Sequence, residues 1–220
     1  MTGRYEREIL AARDAAMEAS RRIVDLYGPD VEVRWKGAND PVTAADEAAT
    51  QAILERIGGE FPGDPVLIEE RADDLSRIGA PRAWIVDPLD GTREFIDRIP
   101  EFSVMIGLVE GGRPVMGVVH VPLTGVTFAG SAGGPAIAFE PGGSRRELRC
   151  APAPDIRDMR IVVSRSHRSR GITRAEEILG ITREVRSGSV GVKIARIVTG
   201  EAELRIRASE DAEIVLVDAA

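Results

Sequence analysis

One run of twelve residues, Trp84-Ile85-Val86-Asp87-Pro88-Leu89-Asp90-Gly91-Thr92-Arg93-Glu94-Phe95, constrains this chain more than any other. Trp84, Ile85 and Val86 read as a short buried strand. Pro88 cannot donate to a ladder, which predicts that the strand stops there. Two carboxylates, Asp87 and Asp90, then fall either side of a turn. Left uncompensated at the end of a buried strand, they would repel each other and cost several kcal/mol in desolvation. An ordinary Asp-Gly turn is one reading; a cation site is the other. Hard oxygen ligands suit Mg²⁺, which keeps some waters and is shared with substrate phosphate. Gly91 allows close approach of backbone to a ligand, and Thr92 supplies a hydroxyl where a helix or turn would begin. If they open a helix, the N–H groups of Gly91 and Thr92 form an anion site. Metal, anion site and hydroxyl together are what metal-assisted phosphate hydrolysis requires.

The 220 residues carry a net charge of −7, which makes the chain a poor partner for nucleic-acid polymers or anionic membranes. The one cysteine, Cys150, excludes an intrachain disulfide and a Cys-rich zinc site. No apolar run approaches the roughly 18 residues that span a bilayer. Residues 1–8 are charged with both signs and lack the apolar stretch of a signal peptide, so a cytoplasmic location is expected.

Residues 5–27 read as an amphipathic helix ended by Gly28-Pro29. Residues 35–40 read as a polar loop. Thr43 followed three residues later by Asp46 resembles a capping box, opening a helix that should run to about Ile57 and stop at Gly58-Gly59. Asp46 is then a capping carboxylate. Val66-Leu67-Ile68 reads as a strand closed by Glu69-Glu70, which are either solvated acids or, for one of them, a bridge between cations. From Phe102 to Phe139, glycine-punctuated alternating segments read as an antiparallel meander. With two helices before it, this part is α+β. His120 reads as a packed or edge residue. Residues 151–154, Ala-Pro-Ala-Pro, are the expected junction, giving domains 1–150 and 151–220.

In the second part, Ile161-Val162-Val163 reads as a strand, followed by Ser164 to Arg170, rich in hydroxyls and cations. That loop is either solvated or an anion reader. Ser187 to Lys193 is a Gly/Ser turn leading into a helix through Val198, stopped at Gly200; such turns suit phosphate or ribose.

The run from Trp84 to Phe95 resembles the signature of the inositol monophosphatase superfamily of Mg²⁺-dependent phosphatases. With Leu89 and Glu94-Phe95, it looks most like the 3′(2′),5′-bisphosphate nucleotidase branch. The first family motif is matched by Asp-Pro-Val-Thr-Ala-Ala-Asp over 40–46. The resemblance implies a layered αβαβα fold, with an N-terminal α+β domain and a smaller α/β domain. It implies Glu69, Asp87, Asp90 and the Leu89 carbonyl as ligands of Mg²⁺, with Ile68 standing where the family usually has a small residue. Thr92 and Asp46 become the water-activating pair. Gly91, Ser164 and His167, three apart, and Lys193 and Arg207, fourteen apart, become substrate contacts. The family's Trp-Asp pair near the last strand is missing; a gap would put Asp211 in place of its acid and align 212–216 with a helix, in a shortened second domain. An uncovered sheet edge there would favour a homodimer.

The implied activity is hydrolysis of a small phosphate monoester, namely the 3′-phosphate of a nucleotide such as 3′-phosphoadenosine 5′-phosphate. The rivals are an inositol or sugar phosphatase, and a catalytically impaired homologue that only binds metal and nucleotide.

Overall fold

The computed structural model describes residues 3–29, 31–37, 40–149, 154–165, 168–208 and 214–217. These form two compact units, divided between Glu147 and Leu148.

The first unit begins with helix α1 (Glu6–Asp25). The hairpin β1 (Val33–Gly37) and β2 (Asp40–Thr43) follows, then α2 (Ala44–Glu60). Sequence reading takes 35–40 as loop, because Gly and Pro interrupt any alternation. Cross-strand pairing from Val33↔Thr43 to Gly37↔Asp40 overrides that local signal. Helix α2 also runs through Gly58 and Gly59, where a stop was expected. Its continuation is held by the Phe61 N–H on the Ile57 carbonyl, while the Phe61 ring packs on Trp84. Two glycines cost helix stability, but tertiary packing outweighs that cost here.

Seven strands make one sheet in the order β3 (Val66–Ile68), β4 (Arg82–Asp90), β5 (Ser103–Glu110), β6 (Arg113–Val121), β7 (Val126–Ser131), β8 (Ala136–Phe139) and β9 (Arg145–Leu148). The β3–β4 pair is parallel and the pairs from β4 to β8 are antiparallel. A short helix α3 (Thr92–Ile96) interrupts the chain between β4 and β5. Strand β9 was not anticipated, because Arg145 to Glu147 are exposed and charged, which hides the alternation.

Alternation decides what each sheet face carries. Trp84, Val86, Val104, Ile106, Leu108, Met116 and Val118 project to one side and join α1 and α2 in a single core. Helix α1 meets that core through Ala11, Ala12, Ala15, Ala16 and Ala19, all essentially buried. Small side chains let the helix approach closely, offsetting the scarcity of aromatics. The few aromatics cluster: Tyr27, Phe95 and Phe102 pack at tilted or edge-on angles with centroids 5.1–5.4 Å apart. His120 lies in the core, its Nδ1 2.7 Å from the Thr127 hydroxyl, and burial lowers its pKa to about 4. It is neutral and structural.

The second unit contains β10 (Arg160–Ser164), α4 (Arg170–Leu179), β11 (Arg183–Ser187), α5 (Val190–Val198), β12 (Arg205–Ala208) and β13 (Ile214–Val217). Strands β10 and β11 are parallel and joined through α4, an α/β arrangement. Ile161, Val163, Ala175, Ile181, Leu204 and Ile206 form its core. Where a helix was expected over 212–216, the described residues Ile214–Val217 form a strand instead, paired antiparallel with β12. Its β-branched run Ile214-Val215 and Val217 suits a ladder better than a helix. Among the described residues no helix is long and apolar enough to cross a membrane.

Candidate functional site

The expected strand stop at Pro88 is replaced by a bulge. Strand β4 runs on to Asp90, with Asp87 opposite Met105 and Asp90 opposite Ser103. Pro88 and Leu89 thus face the single residue Val104, a two-against-one bulge. Proline is tolerated there because a bulged residue makes no ladder bond. The Leu89 N–H turns back to the Asp87 carboxylate, as Asp side chains favour in turns.

The bulge has a decisive effect on direction. In a regular strand, residues three apart point to opposite faces. Met105 and Ser103 are two apart on β5 and share a face, so their partners Asp87 and Asp90 share it too. Glu69 joins them from the neighbouring strand. Its N–H bonds the Val86 carbonyl at 3.0 Å, one step past the registered pair Ile68↔Val86, which sets Glu69 beside Asp87. Three acids therefore line one sheet face, opposite the hydrophobic core.

Their electrostatics show an excess of negative charge. Burial, then Asp90 and then Glu69 push the Asp87 carboxyl up from 3.8 to about 8; the Leu89 N–H pulls it down, and Asp46 raises it further. Ser103, itself buried, donates its hydroxyl to Asp90 Oδ2 at 2.9 Å. The donors available for a metal are these carboxylates and the Leu89 carbonyl, all hard oxygens of the kind Mg²⁺ takes. The fit is one of chemistry and facing. Among the described residues, no three Asp, Glu, His or Cys side chains are gathered closely enough to hold one ion. The acids would have to swing together to hold a cation.

Behind the acids stands a hydroxyl–carboxylate pair. Gly91, at φ 95°, takes the left-handed conformation that favours glycine and caps α3. That turn starts the helix at Thr92, whose Oγ lies 3.0 Å from the Leu89 carbonyl and 3.3 Å from Asp46 Oδ1. Asp46 arrives from the other direction, at the third position of α2. Its second oxygen, Oδ2, accepts the Thr43 N–H and the Thr43 hydroxyl, both at 2.7 Å. The capping acid and the partner of Thr92 are the same residue, using different oxygens. Burial pushes the Asp46 carboxyl up, and the bonds from Thr43 and Thr92 hold that rise back.

Of the remaining candidates, Ser164 ends β10 opposite Ser187 at the end of β11. Lys193 is buried on α5, donating to the Gly188 carbonyl at 3.0 Å. Arg207 lies on β12 opposite Val215. His167 and Asp211 fall outside the described residues. Ser103 was missed by sequence reading. Its signal is a cross-strand register, not a spacing along the chain. Thr43 was seen only as a cap.

Known proteins resemble this chain over most of its length. A family model described as the inositol monophosphatase family matches residues 5–215. The protein named 3′(2′),5′-bisphosphate nucleotidase CysQ of Salmonella typhimurium is 37% identical over 192 residues, 86% of this chain and 76% of that protein. Its namesake from Escherichia coli K12 is 36% identical over 194 residues, 88% and 76% of the two. Among solved structures, CysQ of Bacteroides thetaiotaomicron superposes with a TM-score of 0.76 at 32% identity, covering 94% of this chain and 81% of that one. The extragenic suppressor protein suhB of Bartonella henselae gives 0.80 at 26%, covering 93% and 79%. With a family match of that extent and relatives of that identity, the chain belongs to the inositol monophosphatase family.

Proposed function

We propose that this phosphatase removes the 3′-phosphate of a 3′-phosphoadenosine 5′-phosphate-like nucleotide, using Mg²⁺ held by Glu69, Asp87, Asp90 and the Leu89 carbonyl. The observation that carries the chemistry is the Thr92–Asp46 contact of 3.3 Å beside an acid-lined sheet face. The bisphosphate nucleotidase name of the relatives at 36–37% identity supports the substrate. Mg²⁺ in that position would supply positive charge to the phosphoryl oxygens and make a neighbouring water more acidic.

The chain's own residues do the rest. Thr92 Oγ accepts a proton from the attacking water while its own proton passes to Asp46 Oδ1. The N–H groups at Gly91 and Thr92 orient phosphate oxygens. Ser164, His167, Lys193 and Arg207 serve the nucleotide.

A second reading, hydrolysis of an inositol phosphate, is favoured by the family description. Release of inorganic phosphate from 3′-phosphoadenosine 5′-phosphate and from inositol 1-phosphate, with Mg²⁺ and with EDTA, separates the two. The nucleotide should be preferred, and Asp87→Asn should abolish turnover. Preference for inositol phosphate would replace the first reading with the second.

A further inference from the structure

Taking the chain as the phosphatase proposed above, we propose that Thr43 is a positioning residue that leaves Asp46 only one place to take a proton, the oxygen facing Thr92. A carboxylate oxygen offers two lone pairs in its plane. At Asp46 Oδ2 both are used, one by the Thr43 N–H and one by the Thr43 hydroxyl, each at 2.7 Å. The direction of the hydroxyl bond is not free. Thr43 Oγ accepts the Ala45 N–H at 3.2 Å, and an ionised carboxylate can only accept, so the hydroxyl proton points to Asp46. The backbone N–H of Asp46 also bonds this carboxylate, and the oxygen that faces Thr92 Oγ, at 3.3 Å, is Oδ1. Thr43 and Asp46 are both buried, so solvent does not compete for Oδ2.

The proton balance follows. The attacking water gives one proton to Thr92 Oγ as its oxygen bonds to phosphorus. Thr92 passes its own proton to Asp46 Oδ1. The bond from phosphorus to the ester oxygen breaks, and that oxygen keeps the electron pair and takes a proton from solvent. Asp46 returns its proton to solvent once product leaves. Without the Thr43 hydroxyl, Oδ2 regains a lone pair. The carboxylate can then rotate or be protonated on the wrong oxygen, and Thr92 loses its acceptor for part of the time.

The test compares Thr43→Val, which keeps the branched shape and the N–H but loses the donor, with Thr43→Ser, which keeps it. Thr43→Val should lower kcat roughly tenfold, in line with loss of one hydrogen bond to a charged group, with KM unchanged because Thr43 touches no substrate. Thr43→Ser should restore kcat to within about twofold, since the donor geometry is kept. Thr43→Val also weakens the helix cap, so Gln51→Gly, an exposed position on the same helix, supplies a matched loss of stability. It should leave kcat unchanged. Wild-type kcat in Thr43→Val, or an equal fall in Gln51→Gly, overturns the proposal. A readout without turnover keeps it separable from the phosphatase reading. The Thr43 hydroxyl proton should give a slowly exchanging NMR resonance, present in wild type and Thr43→Ser and lost in Thr43→Val. Its absence from wild type overturns the placement, whether or not phosphate is released.

Discussion

Removing the charge of Asp87 should stabilise the metal-free protein. In the folded state this carboxyl titrates near 8 instead of 3.8, because burial and the charges of Asp90 and Glu69 disfavour its ionised form. The sign follows from linkage. Between those two values the unfolded chain has released the proton that the folded chain retains, so stability falls as pH rises. The contribution of Asp87 is fully present below pH 3.8 and is lost progressively up to about pH 8. At roughly 1.36 kcal/mol per pH unit, the loss reaches about 4 kcal/mol at pH 7. Rearrangement and water entry, which raise the effective dielectric, reduce that to about 2 kcal/mol. Asparagine is nearly isosteric, still accepts from the Leu89 N–H and carries no charge. Asp87→Asn in EDTA at pH 7 should therefore melt higher, by about 4–8 °C at 2–4 °C per kcal/mol for a chain of this size. The gain should shrink at pH 5 and grow at pH 8. Saturating Mg²⁺ should reverse the order, because a ligand at a hundred times its Kd adds about 2.7 kcal/mol to a protein that binds it. Thermal melts of both proteins at three pH values, with EDTA and with Mg²⁺, give the answer. A variant that melts below wild type in EDTA, or a difference that ignores pH, would refute the account of crowded acids.

Three other outcomes follow from single contacts. Ser103→Ala removes the hydrogen bond that Ser103 gives Asp90 Oδ2, and calorimetry should show Mg²⁺ bound roughly tenfold more weakly, the low end for loss of a ligand-orienting partner. Asp64 accepts from Trp84 Nε1 at 3.1 Å and from Arg82 Nε at 2.9 Å; Asp64→Ala leaves a fully buried indole N–H without that partner, and urea unfolding should show a loss of about 2–3 kcal/mol. Arg98 sits at φ 56° just after α3, where the Ile99 N–H reaches the Glu94 carbonyl in a helix-ending turn. Arg98→Gly should raise stability by about 0.5–1 kcal/mol in the same assay, because glycine suits that turn.

What was legible in the sequence was what spacing encodes. The first helix, the Thr43–Asp46 cap, strand β3 and the glycine-turned meander all show in periodicity and turn residues, which act over a few positions. Long-range pairing hid the others. The β1–β2 hairpin and β9 carry polar or charged residues whose strand state comes from the partner strand. Helix α2 passes Gly58-Gly59 because Phe61 is anchored on Trp84. The strand over Ile214–Val217 was taken for a helix because alignment with a family pattern outweighed its β-branched run.

The site shows the same division in sharper form. Asp87 and Asp90 can be picked out as a pair, yet a spacing of three is wrong for a regular strand, since it sends the two side chains to opposite faces. Pro88 reads as a stop, and a stop leaves the direction of Asp90 undefined. The ladder resolves this by running past the proline with one extra residue, which turns an odd spacing into a shared face. Leu89 is the other half of that device. Its side chain enters the core and anchors the bulge, while its carbonyl lies 3.0 Å from Thr92 Oγ. In a regular ladder with the same sequence, Asp90 would pair opposite Phe102 and face the core as an uncompensated buried charge. The acid pair, the proline between them and the apolar residue after it therefore form one unit, which works only if β5 presents Ser103 and Met105 on the matching face.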